Sequence, residues 1–188
     1  MIVVCGSLEP SARRESLAMV IAERATKTGA WVQVIGIVPD GVDGDRRLVD
    51  LAAAGIGHAA VLRTAVRSLE AADVELALRY LPDIGVVVAT DATPALIPAL
   101  LDGAGYAGAA LLLIVDAEAT LDPASLPSTA IVLQAPAHDP DATFAGFVGA
   151  FAARLDGGAV PADAWAATVR ELAVDPVTPG PGRRDRAS

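Results

Sequence analysis

Cysteine, lysine and aromatic rings are all scarce in this sequence, and each scarcity excludes something. The one cysteine among 188 residues, Cys5, can close no intramolecular disulfide, so nothing points to a cross-linked secreted scaffold and a reducing, cytoplasmic setting is expected. Aromatic residues make up 4% of a chain that is 53% hydrophobic, so an aliphatic core is expected. Lys27 is the only lysine. With the arginines it gives 14 basic residues against 23 acidic ones, and a formal net charge of −9 argues against non-specific nucleic-acid binding, which needs a basic face. No basic leader precedes a long apolar stretch, and runs such as 109–115 fall short of the ~20 residues of a bilayer-spanning helix, so no membrane partner is expected. There is no G-x-G-x-x-G and no P-loop lysine, which leaves a dinucleotide or Walker-type phosphate site unsupported. His58 and His138 stand far apart with no cysteine or carboxylate at ligand spacing, so no metal centre is expected.

What the chain does contain is a rhythm. Short apolar runs at 2–5, 31–38, 59–62, 84–89, 109–115 and 130–133 are each followed by turn residues and usually by a helical pattern. This predicts one three-layer α/β/α domain over residues 1–173, Rossmann-like, with a mainly parallel sheet. Runs such as Val86-Val87-Val88 and Leu111-Leu112-Leu113-Ile114-Val115 show no polar alternation, as expected of strands covered on both faces. Thr93-Pro94, Asp122-Pro123 and Asp139-Pro140 each set a capping side chain before a proline whose φ is already helical, which predicts three helix starts. After Asp139, residues Phe144, Phe147, Val148, Phe151 and Leu155 recur at helical spacing until Gly157-Gly158. A last helix is predicted from about Pro161 to Ala173. Residues 174–188, rich in proline and glycine and carrying Arg183, Arg184 and Arg186, read as a disordered, solubilising tail.

Candidate chemistry begins at Gly6-Ser7-Leu8-Glu9-Pro10-Ser11, which follows the first strand and opens a helix. Its backbone N–H groups can cradle a ligand at the positive end of that helix. The plainer reading is that Gly6 only permits the turn and Ser11 only caps the helix. Continued through Arg13-Arg14-Glu15-Ser16-Leu17-Ala18, the stretch resembles the phosphate loop of flavodoxin-like FMN reductases, which implies FMN as a cofactor. The aromatic- and glycine-rich loop with which that family covers its flavin has no counterpart after Val88.

A second resemblance covers most of residues 1–173. Pro39-Asp40-Gly41-Val42-Asp43-Gly44-Asp45, followed by a helix and Leu51-Ala52-Ala53-Ala54-Gly55-Ile56, resembles the turn, helix and glycine that follow the second strand in ribokinase-like (PfkB-type) carbohydrate kinases. Here Asp43-Gly44-Asp45 is expected to cap the helix and Gly55 to end it. A helix over 68–81, then Asp83-Ile84-Gly85-Val86-Val87, continues the match, and Phe144-Ala145-Gly146-Phe147 opens a helix similar to the family's last catalytic one. The resemblance implies a ribokinase-like core. It also implies ATP and Mg²⁺ as co-reactants wherever the kinase activity survives.

The departures from that family are where its chemistry sits. Its Gly-Ala-Gly-Asp turn holds the transferring phosphoryl group on backbone N–H groups and supplies an aspartate base, which is how such enzymes catalyse phosphoryl transfer. Aligned on Phe144-Ala145-Gly146 the base falls on Ala142, and a one-residue slip brings Asp141 there. The glycines are replaced by His138, Asp139 and Pro140, and Pro140 has no N–H to donate. The plainer reading makes Asp139 an N-cap, Pro140 the first helical residue and Asp141 a complement to the helix dipole. The sugar-binding positions fall on Glu9 and Ser11, and the lid strands and adenine-binding loops have no room. The sequence therefore predicts a non-catalytic, pseudokinase-like protein, expected to be homodimeric through its uncovered sheet edges. It is expected to bind a small polar ligand or a partner subunit through Gly6, Ser7, Glu9, Ser11 and Asp139. Two alternatives stay open: a carbohydrate or nucleoside kinase using Asp141, and an FMN-binding protein.

Overall fold

The computed structural model describes residues 1–9, 16–64, 68–116, 126–127 and 129–173. Its strands are β1 (Ile2–Cys5), β2 (Val32–Val38), β3 (Gly57–Arg63), β4 (Val86–Ala89), β5 (Ala110–Val115) and β6 (Ala130–Gln134). Its helices are α1 (Leu17–Lys27), α2 (Val42–Ala53), α3 (Ala71–Tyr80), α4 (Ile97–Ala107), α5 (Thr143–Asp156) and α6 (Pro161–Ala173). The strands form one parallel sheet in the order β3-β2-β1-β4-β5-β6.

The unbroken apolar runs become the centre of that sheet. Every residue of β1 and β4 is buried, and their side chains alternate between two cores. Ile2, Val4, Val86 and Val88 join α1 and α5 on one face, while Val3, Cys5, Val87 and Ala89 join α3 and α4 on the other. Burying each such aliphatic chain contributes about 1.5–3 kcal/mol, and the two cores together explain how so few aromatics suffice.

Small residues let α1 and α5 touch closely. Ala18, Ala22 and Ala25 pack in one cluster with Ala145, Val148 and Ala152. A Cβ on Gly149 would lie 2.8 Å from the Ala25 nitrogen and 3.1 Å from the Ile21 oxygen, so only glycine allows this approach. Helix α6 rests on α5, with the Trp165 ring edge-on to Phe147 and Phe151 at 4.7 and 5.7 Å between centroids. The N-terminal ammonium donates to Asp156 Oδ1 at 2.6 Å and to the Asp83 carbonyl at 3.0 Å, tying the end of α5 to the start of β1. No helix among the described residues is long and apolar enough to cross a membrane.

Four local expectations are corrected. Asp43-Gly44-Asp45 does not cap α2. Gly41, at φ 97°, is its N-cap, the aspartates lie in the first turn, and Asp45 pairs with Arg63 of β3 at 2.6 Å. Thr93-Pro94 opens a turn ahead of α4, and the Thr93 carbonyl accepts from Leu96 and Ile97, so the proline in the first helical turn is Pro98. The helix expected from 68 starts at Ala71, because Glu70 and Asp73 form a reciprocal capping box there. Pro140 is not the first residue of α5, as the site geometry makes clear below. Asp122-Pro123 and the tail at 174–188 lie outside the described residues.

Candidate functional site

The strand order places the reversal of winding between β1 and β4, and a crevice at the carboxyl ends of those strands is where open α/β sheets hold ligands. Here β1 runs straight into Gly6. Its N–H donates to the Ile35 carbonyl at 3.1 Å, while the Thr90 N–H donates to the Cys5 carbonyl at 2.9 Å. The two loops are in such close contact that a Cβ on Gly6 would lie 2.0 Å from Thr90 Oγ1 and 3.0 Å from Asp91 Oδ2. The next residue, Ser7, donates its N–H to Asp91 Oδ2 at 2.5 Å. Ser16, the N-cap of α1, donates its hydroxyl to the Ser7 carbonyl and accepts the Met19 N–H at 3.2 Å. Leu8 is fully buried and anchors the loop from beneath.

Above this junction lies an open cleft of about 810 Å³. Gly6, Ser7 and Glu9 line it from β1, Thr64 from β3, and Asp91 and Thr93 from β4. Ile37, Leu69 and Leu96 add apolar wall. The cleft thus offers hydroxyl and carboxylate groups beside aliphatic surface, the usual make-up of a small-molecule site. A smaller hollow of about 360 Å³ adjoins it over α2, sharing Glu9 and carrying Arg46, Arg47 and three carboxylates in all.

Burial and the charge of Asp91 push the Cys5 thiol up to about 12, so the buried cysteine stays protonated at neutral pH and is no nucleophile. Among the described residues no group of three or more His, Cys, Asp or Glu is arranged to hold a metal ion. His58 lies inside β3, its Nδ1 3.3 Å from the Ile56 carbonyl.

Of the residues singled out in the sequence, Gly6, Ser7 and Glu9 line the cleft, and Ser11 lies outside the described residues, as do Arg13 and Arg14. Asp139 and Asp141 belong to a separate feature, the start of α5. Helix α5 begins at Thr143 with Ala142 as N-cap at φ 53°, and Pro140 and Asp141 form the turn before it. Asp139 still caps the helix, but from farther back. Its Oδ1 accepts the Phe144 N–H at 3.0 Å and its Oδ2 the Ala145 N–H at 3.1 Å, while its carbonyl accepts the Ala142 N–H at 3.2 Å. The first amides of the helix are therefore occupied by the chain's own carboxylate. Asp141 is exposed and does not line the cleft.

Asp91, Thr64, Ser68, Glu70 and Thr93 are the polar lining residues that sequence reasoning missed. Asp91 carries a readable sign, because it directly follows the run Val86–Ala89 and Thr90. Nothing in the sequence says that β4 lies beside β1, and only that adjacency brings Asp91 to Gly6.

No family model matches the chain, and no curated protein matches its sequence. Solved structures do match. The protein Sa239 superposes with a TM-score of 0.61 at 14% identity, over 94% of this chain and 97% of its own. An Escherichia coli protein assigned as a ribokinase II, solved with ATP and Mg²⁺, gives 0.60 at 12% identity over 89% of each chain. A Staphylococcus aureus protein assigned as a phosphofructokinase gives 0.61 at 9% identity, over 92% of this chain and 90% of its own. The fold of this chain is ribokinase-like.

Proposed function

We propose that this protein is a non-catalytic, ribokinase-like protein that binds a small polar ligand or a partner subunit in the cleft between the β1 and β4 loops. The observation that carries the non-catalytic reading is the Asp139 carboxylate on the first amides of α5. In the kinases that this sequence resembles, the corresponding amides receive a phosphoryl group. Here a negative carboxylate fills that position, Pro140 offers no N–H, and Asp141 stands exposed away from the cleft. The amides that would receive the phosphates of ATP are already met by a carboxylate, which supports the reading that this turn transfers no phosphoryl group. The fold alone supports no activity, since one scaffold carries many functions.

The cleft supports the binding part of the reading by its size, its mixed lining and its place in the sheet. The strands β3 and β6 stand at the two edges of the sheet, which favours a homodimer that covers one of them. A cytoplasmic location belongs to the same reading and rests on the composition.

The test is a thermal-shift screen against sugars, nucleosides, FMN and ATP with Mg²⁺, since a ligand that binds only the folded chain raises its melting temperature. A shift with a sugar or nucleoside and no ATP turnover is expected. ATP turnover that disappears in Asp141→Asn would reinstate the kinase. A yellow protein on purification would make it a flavoprotein, and a monomeric peak in light scattering would remove the dimer.

A further inference from the structure

We infer that two copies of this chain join through β6, whose free edge pairs antiparallel with that of the second copy across a two-fold axis, with the exposed stripe of α6 packed beside it. The inference rests on the homodimer proposed above and names the edge that it covers. The two edge strands of the sheet differ in how well they are protected. Edge strands that stay unpaired carry charges, bulges or a covering element. β3 has such devices, since its register against β2 shifts between Gln33 and Ile35 and Arg63 at its end pairs with Asp45. Helix α2, which packs against β3, sets Asp43, Arg46, Arg47 and Asp50 beside that end of the sheet. β6 carries neither charge nor bulge. Ala130-Ile131-Val132-Leu133-Gln134 has no proline and stays in register with β5 over all 5 residues. A β-prone, uncharged segment of ordinary strand length on an edge is a ready template for another strand.

Helix α6 extends the same surface. Phe147, Phe151 and Arg154 meet Trp165 and Glu171 of α6 from one flank of α5, while Gly149 faces α1 from the opposite flank. Because α1 lies over β1 and β2, α6 stands on the half of that face that ends in β6, and its buried Ala164 shares a core with Leu112, Ile114 and Leu133. Trp165, Val169 and Leu172 recur at helical spacing along α6 and are 45, 44 and 42% exposed. With Val160 they make up four of the ten exposed large apolar side chains among the described residues, so the apolar surface is gathered on this one helix. By the same spacing Asp163 and Arg170 are turned away from the stripe. Two copies of net charge −9 repel one another, which favours contact at a surface without charge, and β6 with the α6 stripe offers one. Main-chain hydrogen bonds across the edge and apolar packing beside it then act together.

The experiment reads mass and cross-linking on the full chain. Sedimentation equilibrium should give a dimer for the native protein. Cys5 is buried and protonated at neutral pH, so a single added cysteine reports alone. Val132 stands in the middle of β6, and across an antiparallel two-fold its Cα lies about 4.5–5.5 Å from the same atom of the second copy, within disulfide range. Val132→Cys should therefore cross-link two copies under mild oxidation, and Ile131→Cys covers a register centred one residue earlier. Ala59→Cys, exposed on β3, should not cross-link. Val169→Lys combined with Leu172→Lys should fold, because both sites are exposed, and should weaken association by about tenfold or more. Cross-linking through Ala59→Cys and not through the β6 cysteines, or through none of them in a native dimer, overturns the β6 edge and leaves the dimer standing. A native chain that stays monomeric over the whole concentration range overturns both, and β6 then has another occupant or none. Association unchanged by the two lysines takes α6 out of the interface.

Discussion

Removing the carboxylate of Asp139 should cost stability, and relieving the backbone next to it should add some. In Asp139→Ala the N–H groups of Phe144 and Ala145 lose their acceptors at 3.0 and 3.1 Å. Loss of a capping side chain costs about 0.5–2 kcal/mol, and the negative charge at the positive end of a helix contributes about 0.3–1 kcal/mol more. Asp139 is half-buried, so water replaces part of what is lost and the expected total is about 1–2 kcal/mol. Ala142 tests the same turn with the opposite sign. Its φ of 53° strains a residue bearing a Cβ, by about 1–2 kcal/mol relative to the ordinary helical region. In Ala142→Gly that strain is relieved, and the gain is reduced by the extra freedom of glycine in the unfolded chain, leaving a net stabilisation below about 1 kcal/mol. Urea unfolding followed by circular dichroism, with the slope compared between variants, measures both. At about 2–4 °C per kcal/mol for a chain of this size, the two melting temperatures should separate clearly. Asp139→Ala within about 0.3 kcal/mol of the native chain, together with a destabilised Ala142→Gly, would falsify the capping geometry and the non-catalytic reading built on it.

Two further outcomes follow from buried groups. The Cys5 thiol is raised from the ordinary 9.0 to about 12, so the folded state holds a proton that the unfolded chain releases. The stability from this group is complete below pH 9 and declines as pH climbs toward 12, by about 1.4 kcal/mol per pH unit. Urea titrations across that range should show the loss in the native chain and less of it in Cys5→Ala, and a native thiol that reacts quickly with a disulfide reagent at neutral pH would contradict the burial. Phe151 is 1% exposed and packs its ring 5.8 Å from Phe147. Phe151→Ala should destabilise by about 3–5 kcal/mol and change Trp165 fluorescence in the folded state, and a cost under about 1 kcal/mol would mean that α5 does not lie on the sheet as described.

The inner strands β1, β4 and β5 were legible because both of their faces are covered. With no wet side there is no alternation to blur, and runs such as Val86-Val87-Val88 have no other comfortable place. Gly55 and Gly157-Gly158 marked helix ends correctly because positive φ or a tight exit is needed there whatever the tertiary structure. The Pro-based starts were less dependable. A proline after Thr93 or Asp139 suits the first turn of a helix and equally suits a turn ahead of it, and local chemistry alone does not choose. At α4 the helix begins only where Leu96 and Ile97 reach the core, and at α5 where Phe144 does. The cleft divided in the same way. Gly6, Ser7 and Glu9 follow a strand and were readable from that fact alone. Asp91 and Thr64 became their neighbours only through the strand order, which no local pattern encodes.

Under the reading proposed above, that division bears on how such a fold keeps a binding cleft and loses a reaction. The close packing of α1 on α5 through Gly149 and the two cores of the sheet lie under the loops, and they are indifferent to what the loops do. At the start of α5 an open set of amides is poorly satisfied whenever its anion is absent. Each half-buried N–H left unmet costs about 1–3 kcal/mol. Asp139 meets two of these amides from one side chain, and under the non-catalytic reading proposed above its carboxylate stands in for the missing phosphate. The cleft at Asp91 is not under that pressure. Its groups are exposed, water satisfies them when no ligand is present, and the Ser7 contact holds the wall in shape. Closing one end therefore costs the other end nothing.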